Sequence, residues 1–159
     1  MTTGHLHILC GKIASGKSTL AAKLSDNPAT VLISEDIWLA DLFGPEMAAI
    51  KDYVRCSARL RAVMEPHVVS LLSAGVSVVL DFPANTPNMR GWMKQIIVTA
   101  ECGHTLHFLN VSDDICRIRL QERNASGLHP FEVSDEQFEQ ITRHFIAPEV
   151  EEGFEIKEY

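Results

Sequence analysis

Gly11-Lys12-Ile13-Ala14-Ser15-Gly16-Lys17-Ser18 is the stretch on which the reading of this chain turns. Its glycines, lysine and hydroxyl fall at the spacing G-x-x-x-x-G-K-[ST], the pattern of a loop that wraps a polyphosphate. The flanks agree. An apolar, partly alternating run, Leu6-His7-Ile8-Leu9-Cys10, enters the loop, and Ser18-Thr19-Leu20-Ala21-Ala22-Lys23-Leu24 leaves it with apolar residues at helical spacing. Strand, glycine loop, helix is the order the motif needs.

Each loop residue has a physical reason to be there. Gly11 and Gly16 allow the backbone angles that turn successive N–H groups toward a polyphosphate, and a helix starting near Lys17 aims its positive dipole end at the same anion. Lys17 adds a full charge on the outer phosphates, and the Ser18 hydroxyl is a ligand suited to Mg²⁺. Gly11, Lys12, Ile13, Ala14, Ser15, Gly16, Lys17 and Ser18, with Thr19 behind them, are therefore the expected nucleotide-binding residues.

The remainder of the chain bounds the function. Its 159 residues suffice for one sizeable core and are few for two, so a single domain over 1–159 is expected. No apolar run nears the roughly 18 residues of a membrane span, and Met1–Gly4 does not resemble the start of a secretory signal, so a cytoplasmic location with no membrane contact is expected. Cys10, Cys56, Cys102 and Cys116 form no C-x-x-C pair and read as buried thiols. Formal net charge is −7, which disfavours a nucleic-acid partner and favours a small-molecule acceptor. Oligomeric state is not legible.

Apolar runs alternate with helical patterns along the whole chain. Thr30–Ser34, Val76–Leu80, His104–Asn110 and Phe154–Tyr159 read as further strands. Helices are expected at Asp36–Phe43, from Glu46 to about Ala74 with a possible kink at Pro66, from Pro87 to about Cys102 behind a Thr86 cap, from Ser112 or Asp113 through Arg123, and from the capping box Ser134-Asp135-Glu136-Gln137. This alternation implies an α/β fold: a three-layer P-loop NTPase sandwich around a mostly parallel five-stranded sheet, with a short helical lid at about 117–133.

Ligands in such sheets bind beyond the carboxyl ends of the strands. Those positions hold Glu35 and Asp36 after the second strand, Asp81 after the third with Asn85 and Arg90 farther on, and Asn110 and Asp113 after the fourth. Together with Lys17 and Ser18 this is the inventory of a phosphoryl transferase. The loop, the Glu35-Asp36 pair, the Val79-Leu80-Asp81 ending and the arginine helix Arg117-Ile118-Arg119-Leu120-Gln121-Glu122-Arg123 resemble the small P-loop kinases, and most closely the ATP-binding kinases of the AAA_33 type, a group related to chloramphenicol phosphotransferase, zeta toxin and polynucleotide kinase domains. The resemblance extends over nearly the whole chain.

The resemblance implies ATP and Mg²⁺ as cofactors. It implies that Asp36 prepares the accepting hydroxyl, although two adjacent carboxylates cannot be ranked from sequence and either also suits a helix N-cap. It further implies that Asp81 holds Mg²⁺ with Ser18, and that Arg119 and Arg123, four apart on one helix face, close over the donor. Phe82-Pro83-Ala84 separates Asp81 from Asn85, which leaves the roles of Asn85 and Arg90 open. Trp38, Tyr53, Arg55 and Arg59 fit either an acceptor pocket or the outer face of a long helix. His5 and His7 share a strand face without a third ligand, while His104 and His107 point to opposite faces.

The function expected is ATP-dependent transfer of the γ-phosphoryl group to a hydroxyl of a small molecule. A nucleotide-dependent regulatory or binding ATPase without such an acceptor is the alternative, and a polynucleotide 5′-kinase ranks below it. A GTPase is disfavoured because Asn110-Val111-Ser112-Asp113 lacks the lysine of the guanine motif.

Overall fold

The structure is a computed structural model that describes residues 2–128 and 132–159. The β-branched and leucine-rich runs form five strands: β1 (His5–Gly11), β2 (Thr30–Ser34), β3 (Ser77–Asp81), β4 (Gly103–Leu109) and β5 (Ile156–Glu158). They lie in the order β2-β3-β1-β4-β5, and every pairing is parallel. A parallel pair needs a crossover, and the helices supply it. These are α1 (Lys17–Ser25), α2 (Glu35–Phe43), α3 (Ile50–Ser73), α4 (Pro87–Ala100), α5 (Asp113–Ser126) and α6 (Asp135–Arg143).

Both faces of the central strands are covered. Leu6, Ile8 and Cys10 of β1, Val78 and Leu80 of β3 and Leu106 of β4 pack with Leu60, Met64 and Val68 of α3 and Met93 and Ile96 of α4. The alternate residues Leu9 and Val79 meet Leu20, Ala21 and Leu24 of α1 on the opposite face. Helix, sheet, helix is the three-layer arrangement expected. A third cluster, Cys116, Leu120 and Phe138 with Ile13 and Ala14, seats α5 and α6 over the loop that follows β1. From β1 the chain crosses to the edge strand β2, and from β3 it passes over β1 to β4. The direction of winding therefore reverses at β1, which is where such sheets open a crevice for ligands.

Caps set most helix ends where the sequence places them. Thr86 Oγ1 accepts from Met89 N at 3.2 Å, and Ser134 and Gln137 exchange side-chain to backbone bonds at 3.2 and 2.9 Å. Ser112, rather than Asp113, caps α5 by accepting from Ile115 N at 3.4 Å. Other ends differ from expectation, and α5 runs on past Arg123 to Ser126. Gly44–Glu46 forms a separate 3₁₀ turn and Ala49 is extended, because the Asp52 carboxylate accepts the N–H groups of Ala48 and Ala49 at 3.2 and 3.0 Å; α3 thus begins at Ile50 and not at Glu46. Helix α4 stops at Ala100, two residues early, where Glu101 takes a left-handed φ of 49°. Pro66 lies inside α3, which continues through it.

The four cysteines are free and buried, as read from their spacing. Among the described residues no helix is long and apolar enough to cross a membrane.

Candidate functional site

The loop between β1 and α1 is shaped by its backbone. Gly16 adopts φ 104° and Ala14, which carries a Cβ, adopts φ 62°, a conformation that costs an alanine about 1 kcal/mol or more. A Cβ at Gly11 would stand 2.5 Å from Ser15 Oγ and 3.2 Å from the Leu109 carbonyl oxygen, so a side chain there would displace the buried Ser15 hydroxyl. The Lys17 ammonium donates to the carbonyls of Gly11 and Lys12 at 2.6 and 2.9 Å, so the loop curls around its own cation. Burial lowers the Lys17 pKa, while the charges of Asp81, and more weakly Asp36, act in the opposite direction.

Elements distant in sequence hold this loop. Asn85 accepts from Gly11 N at 3.0 Å through its side-chain oxygen. Arg119 of α5 donates to the Ser15 carbonyl at 3.1 Å, and Lys12 pairs with Asp113 at the start of α5 at 2.6 Å while lying over the Phe145 ring. Both shoulders of the loop are thus tied to the same helix. Ser18 Oγ donates to Asp81 Oδ2 at 3.4 Å, which brings the two expected metal-binding residues together. One hydroxyl and one carboxylate, both hard oxygen donors beside a phosphate-binding loop, fit Mg²⁺, which keeps several waters and takes few protein ligands. Among the described residues no group of three or more His, Cys, Asp or Glu could hold a metal ion.

The two adjacent carboxylates after β2 have different surroundings. Glu35 is 1% exposed and accepts from Tyr53 Oη and, at 3.0 Å, from Ser57 Oγ, which in turn accepts from Arg61 at 2.7 Å. Burial raises the Glu35 pKa against the opposing pull of those two hydrogen bonds. Asp36 is partly exposed, and its charge acts on Lys17, Tyr53 and Arg123. Helix geometry explains the difference: residues one apart point about 100° away from each other, so one faces α3 while the other does not.

Of the lid expected at 117–133, residues 129–131 lie outside the described residues. Arg119 sits against the phosphate loop as above. The Arg123 side chain is half-buried, and burial lowers its pKa while Asp36 counteracts the shift. Asn124 closes the segment by donating to the Val133 carbonyl at 2.5 Å and accepting from Val133 N at 3.3 Å.

Other candidates are placed elsewhere. Arg55 and Arg59 are exposed on the side of α3 opposite Tyr53 and Ser57, so the outer-face reading of that pair holds. Arg90 is 1% exposed: it forms an ion pair with Glu152 at 3.0 Å and donates to the carbonyls of Ala84 and Ile146 at 2.9 and 2.8 Å. Its partner stands 62 positions away, which no local pattern reveals. Asn85, whose role was open in the sequence, is the residue that tethers Gly11. His7 Nδ1 lies 3.0 Å from His107 Nε2, whose other ring nitrogen meets Tyr159 Oη at 2.8 Å. The acidic excess is also localised. Residues 132–159 carry nine acidic and two basic side chains, a net −7 equal to that of the chain, so residues 1–131 are balanced.

Known structures share this architecture. The chain superimposes on a candidate kinase from Chloroflexus aurantiacus with a TM-score of 0.79 and 20% identity, covering 100% of this chain and 86% of that one. It is similar to Chaetomium thermophilum Kti12, solved with ADP-AlF3 (TM-score 0.71, 15% identity, 97% and 89% of the two chains), and to the Mycobacterium tuberculosis APS kinase CysC, solved with AMPPNP and APS (0.57, 17%, 80% and 76%). No curated protein matches the chain. Residues 6–148 match the AAA domain family AAA_33, and the chain belongs to that family.

Proposed function

We propose that this chain is an ATP- and Mg²⁺-dependent kinase that transfers a γ-phosphoryl group to a hydroxyl of a small molecule. The observation that carries the reading is the divergent environment of Glu35 and Asp36. One carboxylate is absorbed into the core by Tyr53 and Ser57, and its neighbour acts electrostatically on the phosphate-binding Lys17 and on Arg123. A carboxylate beside the phosphates is what an accepting hydroxyl requires.

In this reading the loop amides and Lys17 hold the β- and γ-phosphate oxygens, and Ser18 with Asp81 holds Mg²⁺. The metal, when bound, neutralises charge on those oxygens. Asp36 orients the acceptor hydroxyl in line with the γ-phosphorus and takes its proton as the new O–P bond forms, while the bond to the bridging oxygen breaks and ADP leaves. Arg119 and Arg123 offset charge developing on the transferred group. The segment from α5 toward Val133 serves as the lid of a single domain. AMPPNP and APS bound to a similar fold, and ADP-AlF3 bound to another, support nucleotide binding at this loop.

The test is a phosphorylation screen with labelled ATP over hydroxyl-bearing metabolites, with a 5′-hydroxyl oligonucleotide included. Asp36→Asn should lower transfer by about 10²–10⁴-fold and leave Mg·AMPPNP affinity nearly unchanged. Near-normal turnover in that variant removes Asp36 from catalysis. If no acceptor raises ATP consumption above the hydrolytic background, the regulatory or binding ATPase reading replaces the kinase.

A further inference from the structure

Glu35 is a buried acid that the proposed transfer does not use. It is 1% exposed and burial raises its pKa, so a well-packed apolar side chain in its place would be no worse for stability. What the carboxylate supplies is direction. Its Oε1 accepts from Tyr53 Oη and its Oε2 from Ser57 Oγ at 3.0 Å, and the Arg61 guanidinium, donating to Ser57 Oγ at 2.7 Å, turns the hydroxyl proton toward Glu35. Tyr53, Ser57 and Arg61 stand four apart, so the donors form one stripe along about 12 Å of α3. Among the described residues Ser34, the N-cap of α2, makes no side-chain capping bond, and Leu39, the next inward residue of that helix, supplies an apolar contact one turn on. Apolar contact resists separation but is indifferent to angle, whereas hydrogen bonds to both carboxylate oxygens fix it.

We propose that Glu35 is a positioning residue for Asp36: its bonds to Tyr53 and Ser57 set the rotation of α2 and so aim the neighbouring carboxylate at the phosphate loop, an inference that rests on the role given to Asp36 above. Asp36 follows Glu35 by about 100° of helix, and its charge acts on both Glu35 and Tyr53. A side-chain end lies about 5–6 Å from the helix axis, so turning α2 by about 10° carries the Asp36 carboxylate about 1 Å. A misplacement of that size costs a reacting group as much as about 10²-fold in rate. The buried acid thus converts the rigid stripe on α3 into a fixed direction for the residue beside it.

The test makes the polar chain apolar in the full-length protein, Glu35→Met with Tyr53→Phe and Ser57→Ala, and measures ATP turnover with water as the acceptor, Mg·AMPPNP affinity by calorimetry, and urea unfolding to check the fold. Turnover should fall about 10–10²-fold while nucleotide affinity stays within about twofold, a split that a loss of overall stability would not produce. In an Asp36→Asn background the same replacements should change turnover little, because the group they aim is gone. Tyr53→Phe alone deletes one hydroxyl and keeps the ring, so it should show the same split at about fivefold and serves if the triple variant does not fold. Parental turnover in these variants, or a fall that persists undiminished without the Asp36 carboxylate, overturns the positioning role and leaves the kinase reading standing. Parental turnover in Asp36→Asn alone, or no turnover in the parent, removes the role given to Asp36 and this proposal with it.

Discussion

Replacing Arg90 with methionine tests whether a single buried guanidinium holds the carboxy-terminal segment to the phosphate loop. Arg90 is 1% exposed, its Nε meets both Glu152 oxygens at 3.1 and 3.0 Å, and its NH1 serves the carbonyls of Ala84 and Ile146. Methionine fills the volume of the stem but returns none of the donors. Two carbonyls then lose their partner at about 1–3 kcal/mol each, while Glu152, 22% exposed, recovers water and adds little. The sum, about 2–6 kcal/mol, brackets the usual cost of about 3–5 kcal/mol for breaking a buried pair. For a chain of this size it corresponds to roughly 10 °C in midpoint temperature.

The effect should spread to the site. Ile146 N donates to the Asn85 carbonyl at 2.9 Å and the Asn85 side chain holds Gly11 N, so loosening the first contact frees the start of the phosphate loop. Urea denaturation followed by circular dichroism gives the stability, and calorimetry with Mg·AMPPNP gives the nucleotide affinity. Arg90→Met should lower both. A variant within about 1 kcal/mol of the parent, with an unchanged denaturant slope, refutes the argument that this guanidinium is the fastener.

Three further outcomes follow from the same geometry. Because burial raises the Glu35 pKa, its contribution to stability is complete below the ordinary carboxylate value and is lost as pH rises through the folded one; Glu35→Gln should therefore gain stability relative to the parent between about pH 4 and pH 8 in urea titrations, and a constant difference would contradict this. His7 and His107 have pKa values lowered to about 4, first by burial and then by each other or by His5, so their contribution is present above about 6.5 and is lost as pH falls toward 4. Discounted because the two hydrogen-bonded rings titrate as a coupled pair, the parent should lose about 2 kcal/mol more than the His7→Gln/His107→Gln double variant between pH 7.5 and pH 4.5. A Cβ at Gly4 would stand 2.0 Å from the Val76 carbonyl oxygen, so Gly4→Ala should lower the thermal midpoint by several degrees, and an unchanged midpoint would show that the Gly4 strand lead-in shifts freely.

How much could be read in advance depended on the range of the interaction concerned. The phosphate loop was legible because its glycines, lysine and serine act within eight consecutive residues. Thr86-Pro87 and Ser134–Gln137 were legible because capping bonds reach only three residues along the chain. The start of α3 was misplaced because Asp52 draws the N–H groups of Ala48 and Ala49 out of the helix, a competition that propensity does not register. Arg55 and Arg59 kept two readings until the side of α3 facing Tyr53 and Ser57 was known.

By itself, then, the sequence determined the strand and helix alternation, the parallel sheet it implies and the anion-binding loop at its mouth, since short-range periodicity and backbone freedom encode all three. Tertiary structure alone decided that Glu35 enters the core, that Arg90 fastens the segment ending at Glu152, and that Asn85, Lys12 and Arg119 tie the loop to its surroundings. The reason is physical. Whether a carboxylate or guanidinium is buried, paired or left to water depends on which distant backbone groups arrive beside it, and that proximity exists only once the chain has folded.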